Sequence, residues 1–294
     1  MKKICLAGVL TLLFCAPLFA RASTNQRDQD LQRAILQSRS WDALSKADIT
    51  EIKKDDLERV VHIGKSNYYA ILGVASAEKL NEFLKPYGYK PLKVFGKVPV
   101  AIGLSVNDDF VGCGCPKAFN EISLTYSIKS RANGSWYQQV VPIWSLATHP
   151  QRRASMATKF GTLVELGEAG LSDKNAILVK DQEGNTILEA RPAKGFPEST
   201  HSGKINFGIH SIGGQYQADG ETEVRSLHEM FYRIAGKSKN GYRRFSSSDT
   251  YTVNPESTLG KILASVEFKP LFWETMELHN ATAWIPVDQH DLKK

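Results

Sequence analysis

The sequence predicts a mainly β (α+β) fold, an antiparallel β-barrel or sandwich with a few peripheral helices, and three observations carry that expectation. Residues 119–128 alternate strictly, with Ile122, Leu124, Tyr126 and Ile128 on one side and Glu121, Ser123, Thr125 and Ser127 on the other. That is the period-two signature of a strand. Beyond Gly161 short β-rich runs recur, and residues 176–180 and 185–189 flank Asp181-Gln182-Glu183-Gly184, a hairpin signal. Helical spacing is confined to a few stretches, and many short strands with few helices are the pattern of an all-β barrel or sandwich.

In chain order, residues 1–22 open with Lys2 and Lys3, continue through an apolar run broken by Pro17, and end in Ala20-Arg21-Ala22. This is the pattern of a secretory signal peptide cleaved near Ala22, and it implies a secreted or periplasmic protein with no stable membrane insertion after cleavage. The apolar run is short for a bilayer span of about 20 residues. Cleavage there removes Lys2, Lys3 and Arg21 and no acidic residue, so the formal charge falls from +6 to +3. Basicity of that size is no argument for a nucleic-acid partner.

Residues 23–59 place Leu31, Ile35, Leu36, Trp41 and Leu44 at helical spacing and are expected to form a leader helix packed on the domain. The domain itself is expected over residues 60–294, with no internal repeat or low-complexity linker dividing it. Strands are expected at 60–63 and 68–74, then a helix over 77–85 with Ser76 as its N-cap and Pro86 and Gly88 ending it. Residues 93–105, punctuated by Gly96, Pro99 and Gly103, suggest short strands with bends. A turn at Asn133-Gly134 and a returning strand through Val140 and Ile143 follow, then a strand over 162–166. Leu227, Met230, Phe231 and Ile234 form one stripe of a helix expected over 221–235, and 237–244 suggests a basic turn, most simply a solvated loop.

After signal removal the only cysteines are Cys113 and Cys115, in Gly112-Cys113-Gly114-Cys115-Pro116. An oxidising compartment favours a bridge between them, although a Cys-x-Cys ring is strained and reducible, and a plain loop with quiet thiols fits the same residues. Neither these cysteines nor the seven histidines show metal-ligand spacing, so no metal and no cofactor is expected. His149-Pro150 has the look of a turn, ten residues before Lys159. There is no Gly-x-Ser-x-Gly elbow and no phosphate loop, which sets aside serine-hydrolase and nucleotide chemistry.

Phe119-Asn120-Glu121, then Trp136-Tyr137, then the run from Arg152-Arg153 to Lys159 resemble in order and approximate spacing the core of the acetoacetate decarboxylase superfamily. There an aromatic-x-Glu strand precedes Gly-Arg-Glu and a Pro-Lys-Lys segment that carries the Schiff-base lysine. Residues 255–262, 268–271 and 276–286 resemble that family's closing region, and 67–71, 77–86 and 88–92 its first strand, helix and turn. The resemblance spans roughly residues 60–287. Two departures stand out: one lysine, Lys159, replaces the pair, and Arg152-Arg153-Ala154 stands where the family has Gly-Arg-Glu.

The resemblance implies that Lys159 condenses with a ketone to an iminium, that Glu121 orients the amine or shuttles protons, and that Arg152 or Arg153 holds the substrate carboxylate. Phe119, Tyr137 and Met156 would complete the pocket, Met156 lying with Ala157 and Phe160 on its dry wall. A lysine is a nucleophile only when neutral, and its ordinary pKa of about 10.4 leaves little free amine at neutral pH. Burial or a nearby cation lowers that value, as is established for acetoacetate decarboxylase itself; a lowering of roughly 3 units corresponds to ~4 kcal/mol.

Two functions therefore stand. One is a secreted Schiff-base lyase acting on a small keto acid, by decarboxylation or aldol-type chemistry. The other is a non-catalytic β-barrel that binds a small carboxylate or keto metabolite, favoured by the two departures. In both the partner is a small keto acid or carboxylate, and the family implies a homo-oligomer. The wet face of an ordinary sheet is the plain alternative for Glu121; a catalytic role is expected to need a closed barrel with a polar lumen.

Overall fold

The computed structural model describes residues 60–84, 90–111, 116–128, 138–153, 164–173, 175–216 and 222–284. The leader and signal segments, and the expectations attached to them, lie outside the described residues.

β1 (Val60–Ser76), α1 (Ala77–Leu84), β2 (Lys97–Val111), β3 (Phe119–Ile128) and β4 (Gln138–Ala147) come first. β5 (Glu165–Leu166), β6 (Glu168–Leu171), β7 (Ile177–Lys180), β8 (Thr186–Arg191), β9 (His201–Tyr216) and β10 (Thr222–Arg244) follow. β11 (Thr250–Val253), α2 (Thr258–Ser265) and β12 (Lys269–Trp284) complete the order. Eight strands form one sheet in the order β3-β2-β1-β12-β10-β9-β4-β5, and β6, β7, β8 and β11 form a second in the order β11-β8-β7-β6. β4 also pairs with β3, from Glu121↔Ala147 to Ile128↔Gln139, so the large sheet bends back on itself. The expectation of a mainly β architecture with few helices holds, as a large curled sheet backed by a small one.

Alternation along the strands divides the large sheet into two faces. Ile71, Ile102, Leu104, Ile122, Leu124, Tyr126 and Trp273 point toward the small sheet and form one core with its Ile177, Val179, Leu188 and Ala190. Leu80 of α1 and Leu259 and Leu263 of α2 close the same core. Each fully buried side chain of this kind stabilises the fold by about 1.5–3 kcal/mol. The opposite face carries Ala70, Leu72, Val74, Ala101, Val140 and Phe272, which pack as a separate apolar group.

Local signals explain several boundaries. Ser76 caps α1, its Oγ accepting the Lys79 N–H at 3.4 Å, as its position before an amphipathic run predicts. The β7–β8 hairpin turns where expected, with Gly184 at φ +85° and the Asn185 N–H donating to Asp181 Oδ1 at 2.8 Å. α2 begins at Ser257, whose Oγ accepts the Gly260 N–H at 3.0 Å while its hydroxyl donates to the Asn254 carbonyl at 2.7 Å. For a helix of eight residues such a cap matters: Ser257→Ala is expected to lower stability by about 1 kcal/mol, read as a shift in the urea midpoint without a change in slope.

Four expectations are corrected. The helix over 221–235 and the basic turn over 237–244 are both parts of the single strand β10. β9 pairs its backbone from Thr222 to Asn240 and β12 from Arg233 to Arg244, and these ladders override a weak helical stripe. Between Glu223↔Gln215 and His228↔Gly213 the register slips, and this break in alternation hides the period of two in the sequence. The two strands expected at 60–63 and 68–74 are one strand of 17 residues, β1, because β12 pairs the polar stretch between them as Lys65↔His279 and Asn67↔Glu277. Likewise residues 97–111 form one strand with Pro99 and Gly103 inside it, the bend being confined to Phe95 and Gly96, both at positive φ.

A polar knot holds the corner where β8, β10, β11 and β12 meet. Asp249 Oδ1 accepts the Ala193 N–H at 2.7 Å and an Arg243 N–H at 3.2 Å, and Oδ2 accepts the Ser246 N–H at 2.8 Å and Trp273 Nε1–H at 2.9 Å. Trp273 is itself stacked on Phe245 at 5.2 Å and met edge-on by Phe196 at 5.5 Å. Among the described residues no helix is long and apolar enough to cross a membrane.

Candidate functional site

Because Ile122, Leu124 and Tyr126 enter the core against the small sheet, Glu121, Ser123, Thr125 and Ser127 must face the other way. That face is not the wet side of an open sheet: Ser127 is fully buried, and the Glu121 side chain is only 15% exposed. Glu121 stands between Ser105 of β2 and Ala147 of β4, two small neighbours that leave room around its carboxylate.

Arg152 fills part of that room. After β4, Thr148 and Asn120 clasp each other: the Thr148 N–H donates to the Asn120 carbonyl at 3.0 Å, and the Asn120 N–H donates to Thr148 Oγ1 at 3.0 Å. The chain then turns at His149, whose Nδ1 accepts the Gln151 N–H at 3.1 Å and whose carbonyl accepts the Arg153 N–H at 3.1 Å. His149 is thus the cap of the helical residues 150–153, with Pro150 at the first helical position. One turn later Arg152 points back over β3, and its Nε–H donates to Glu121 Oε2 at 2.8 Å.

Two touching aromatic rings line one side of the guanidinium. Its carbon lies 4.9 Å from the Phe119 ring centre and 5.5 Å from that of Phe110, and the two rings meet edge-to-face at 5.0 Å. With the Arg152 side chain only 9% exposed, the ion pair and both cation–π contacts act in a largely water-excluded setting, where each is stronger than at a surface. Arg153, the next residue, is exposed. The structure therefore joins Phe119, Glu121 and Arg152 and separates Arg153 from them; Lys159, Tyr137, Met156, Cys113 and Cys115 lie outside the described residues.

Sequence reasoning missed two features of this face. Glu274 of β12 lies between Ala70 of β1 and Tyr242 of β10 in register, on the side opposite Trp273, and is fully buried. A signal for it exists: a glutamate inside Phe272-Trp273-Glu274-Thr275-Met276, a strand whose neighbours are large and apolar, is an inward-facing charge. The second is Tyr68, whose side chain lies over Gly103, where a Cβ would collide with the tyrosine hydroxyl oxygen and the ring carbon that bears it. Gly103, which reads as a bend in the sequence, is a place where another side chain passes close to the backbone.

The fold has solved counterparts. The chain is similar in structure to acetoacetate decarboxylase from Legionella pneumophila, with a TM-score of 0.52 at 12% sequence identity, over 78% of this chain and 88% of that one. The chain has the fold of the acetoacetate decarboxylase superfamily. A second acetoacetate decarboxylase structure aligns with a TM-score of 0.49 at 10% identity, over 81% of this chain and 99% of that one. The enduracididine biosynthesis enzyme MppR complexed with pyruvate aligns with a TM-score of 0.45 at 11% identity, over 76% of this chain and 88% of that one. No family model matches the sequence, and no curated protein does. At such identities the acetoacetate decarboxylase likeness is one of fold; what the site does is argued from its own residues.

Proposed function

We propose that this chain is a secreted or periplasmic Schiff-base lyase acting on a small keto acid, by decarboxylation or an aldol-type step. The observation that carries the reading is the Glu121–Arg152 pair, a buried cation resting against two phenylalanine rings on the inward face of an acetoacetate decarboxylase-like sheet. A guanidinium fixed in that way is suited to receive a carboxylate, and Glu121 fixes the direction in which it presents itself. In this reading Lys159, seven residues further along, supplies the amine.

The chemistry balances without a cofactor. The Lys159 amine adds to the substrate ketone and water leaves, giving an iminium. The electron pair of the bond to the departing CO2 then moves toward the iminium nitrogen, giving an enamine. Protonation of the enamine carbon and hydrolysis release product and regenerate the amine. In an aldol-type step, as with pyruvate, the iminium loses a proton from the adjacent methyl group to a base such as Glu121 in place of CO2, and the resulting enamine carbon attacks an aldehyde.

One observation favours the second reading, a binding protein with no turnover. Glu121 is engaged by Arg152, which makes it an anchor for the arginine in addition to, or in place of, a proton carrier for an amine.

Borohydride reduction in the presence of acetoacetate and pyruvate, followed by peptide mass spectrometry, separates the two readings. The expected result is a reduced adduct on Lys159 that disappears in Lys159→Ala, accompanied by CO2 release or condensation product from the unreduced protein. An adduct on no lysine would sink the Schiff-base reading and leave the binding protein; an adduct elsewhere would reassign the nucleophile.

A further inference from the structure

Beside Glu121, a patch of the inward face of β1 to β4 is floored by small side chains and bordered by Leu72 and Phe119. In register across it stand Ala70, Gly103, Ser123 and Ser145 in one row, with Ser105 and Ala147 beside Glu121 in the next and Ala101 and Thr125 on the other side. Protein interiors are packed to the density of organic crystals, so something must occupy the space above such a floor. Tyr68 does so in part. It is paired with Ser105, and its ring crosses diagonally to Gly103, where its hydroxyl takes the place a side chain at 103 would have.

Gly103 is what permits this, since any larger residue there would collide with the tyrosine ring. From its place on β1 the ring borders both the Glu121 row and the row of Ala70, whose neighbour on β12 is the buried Glu274. It is the one aromatic side chain that the described parts of β1 and β2 bring onto the floor between those two carboxylates.

We propose that the Tyr68 ring, seated on Gly103, sets the size of the acyl group this face accepts, limiting it to keto acids of three or four carbons. The proposal rests on the keto-acid reading given above and adds to it the residue that selects among keto acids. The ring acts by bulk: a substrate whose chain ends in a methyl group fits beside it over Ala70 and Ser123, whereas a phenyl group would need the volume that the ring already fills. Steric exclusion of that kind discriminates by one to two orders of magnitude.

The test is competitive borohydride trapping with pyruvate and phenylpyruvate on the wild type, Tyr68→Ala, Tyr68→Leu and Tyr68→Phe, each first shown to be folded by circular dichroism. The wild type is expected to favour pyruvate, and Tyr68→Ala to shift the ratio toward phenylpyruvate by about tenfold or more. Tyr68→Leu, which keeps more of the packing, is expected to shift it in the same direction by a smaller factor, and Tyr68→Phe to keep a ratio close to that of the wild type. An unchanged ratio in both the alanine and leucine variants overturns the proposal. So does a phenylalanine variant as relaxed as the alanine one, because the hydroxyl and not the bulk would then select.

Thermal shift with acetate and phenylacetate gives a readout independent of the covalent step. If no chain forms an adduct, the Schiff-base reading fails, while stabilisation by phenylacetate confined to the alanine and leucine variants still supports the size filter. Absence of both adducts and shifts overturns it.

Discussion

Replacing Asp249 by alanine is expected to lower stability by about 3–5 kcal/mol, the range for removing one partner of a buried charge pair. Its side chain is fully buried, and two backbone N–H groups, the Trp273 indole and the Arg243 guanidinium converge on its two oxygens. Alanine leaves all of those donors without their acceptor and leaves Arg243, 22% exposed, without its carboxylate. The segment at Ala193, the turn at Ser246 and the Trp273 ring lose their common anchor together. A urea midpoint within the range of an ordinary surface substitution, about 0.5 kcal/mol, would show that the knot is decorative.

The same carboxylate makes stability depend on acid. Burial alone raises its pKa, but the hydrogen bonds from Ser246, Ala193, Trp273 and Arg243 outweigh burial and bring it from 3.8 down to about 2. A folded value below the unfolded one means the contribution is fully present above about pH 4 and is lost as pH falls through the folded value near 2. The shift corresponds to roughly 2 kcal/mol. Between pH 4 and pH 2 the wild type is therefore expected to lose that much more than Asp249→Asn, which has no charge to lose, and the two stability curves should approach each other. Parallel curves over that range would rule out Asp249 as a source of the acid sensitivity.

The second large effect is expected at Arg152. Arg152→Leu keeps apolar volume beside Phe119 and Phe110 but strips Glu121 of its partner, leaving a carboxylate 15% exposed on an enclosed face. The expected cost is about 3 kcal/mol, most of it the penalty of an uncompensated charge. The double variant with Glu121→Gln is expected to regain a substantial part of it, giving a coupling energy of about 2 kcal/mol in a double-mutant cycle. Additive effects would show that the pair at 2.8 Å contributes no more than an exposed salt bridge. The same variants should also lose carboxylate recognition in the trapping experiment, whether turnover follows or not.

What the sequence made legible was what local physics decides. The alternation in β3 placed Glu121 on the face opposite Ile122 and Leu124, Ser76 marked the start of α1, and Asp181 with Gly184 marked a hairpin. The proximity of Glu121 to the Arg152-Arg153 run was also legible, because a hairpin returns the chain to the same place; which arginine turns inward was not, since it depends on how the helical residues 150–153 are capped. β10 was hidden because its strand character comes from its partners, β9 along its first half and both β9 and β12 from Arg233 on, and not from its own spacing. Glu274 and Tyr68 were hidden for a related reason: each gains its meaning from residues across the sheet, Ala70 with Tyr242 in one case and Gly103 in the other.

The ladder between β1 and β12 runs from Val60↔Trp284 to Val74↔Lys269, so residues some two hundred positions apart in sequence are hydrogen-bonded neighbours. Closing so long a loop is entropically slow, and folds dominated by such distant pairings form late and cooperatively. Until β12 docks, β1 and β10 each present an unpaired edge, and the wall that carries Glu274 does not exist. The face that carries Glu274 is thus complete only when the two distant ends of the described domain have paired, and an unclosed chain would expose two strand edges.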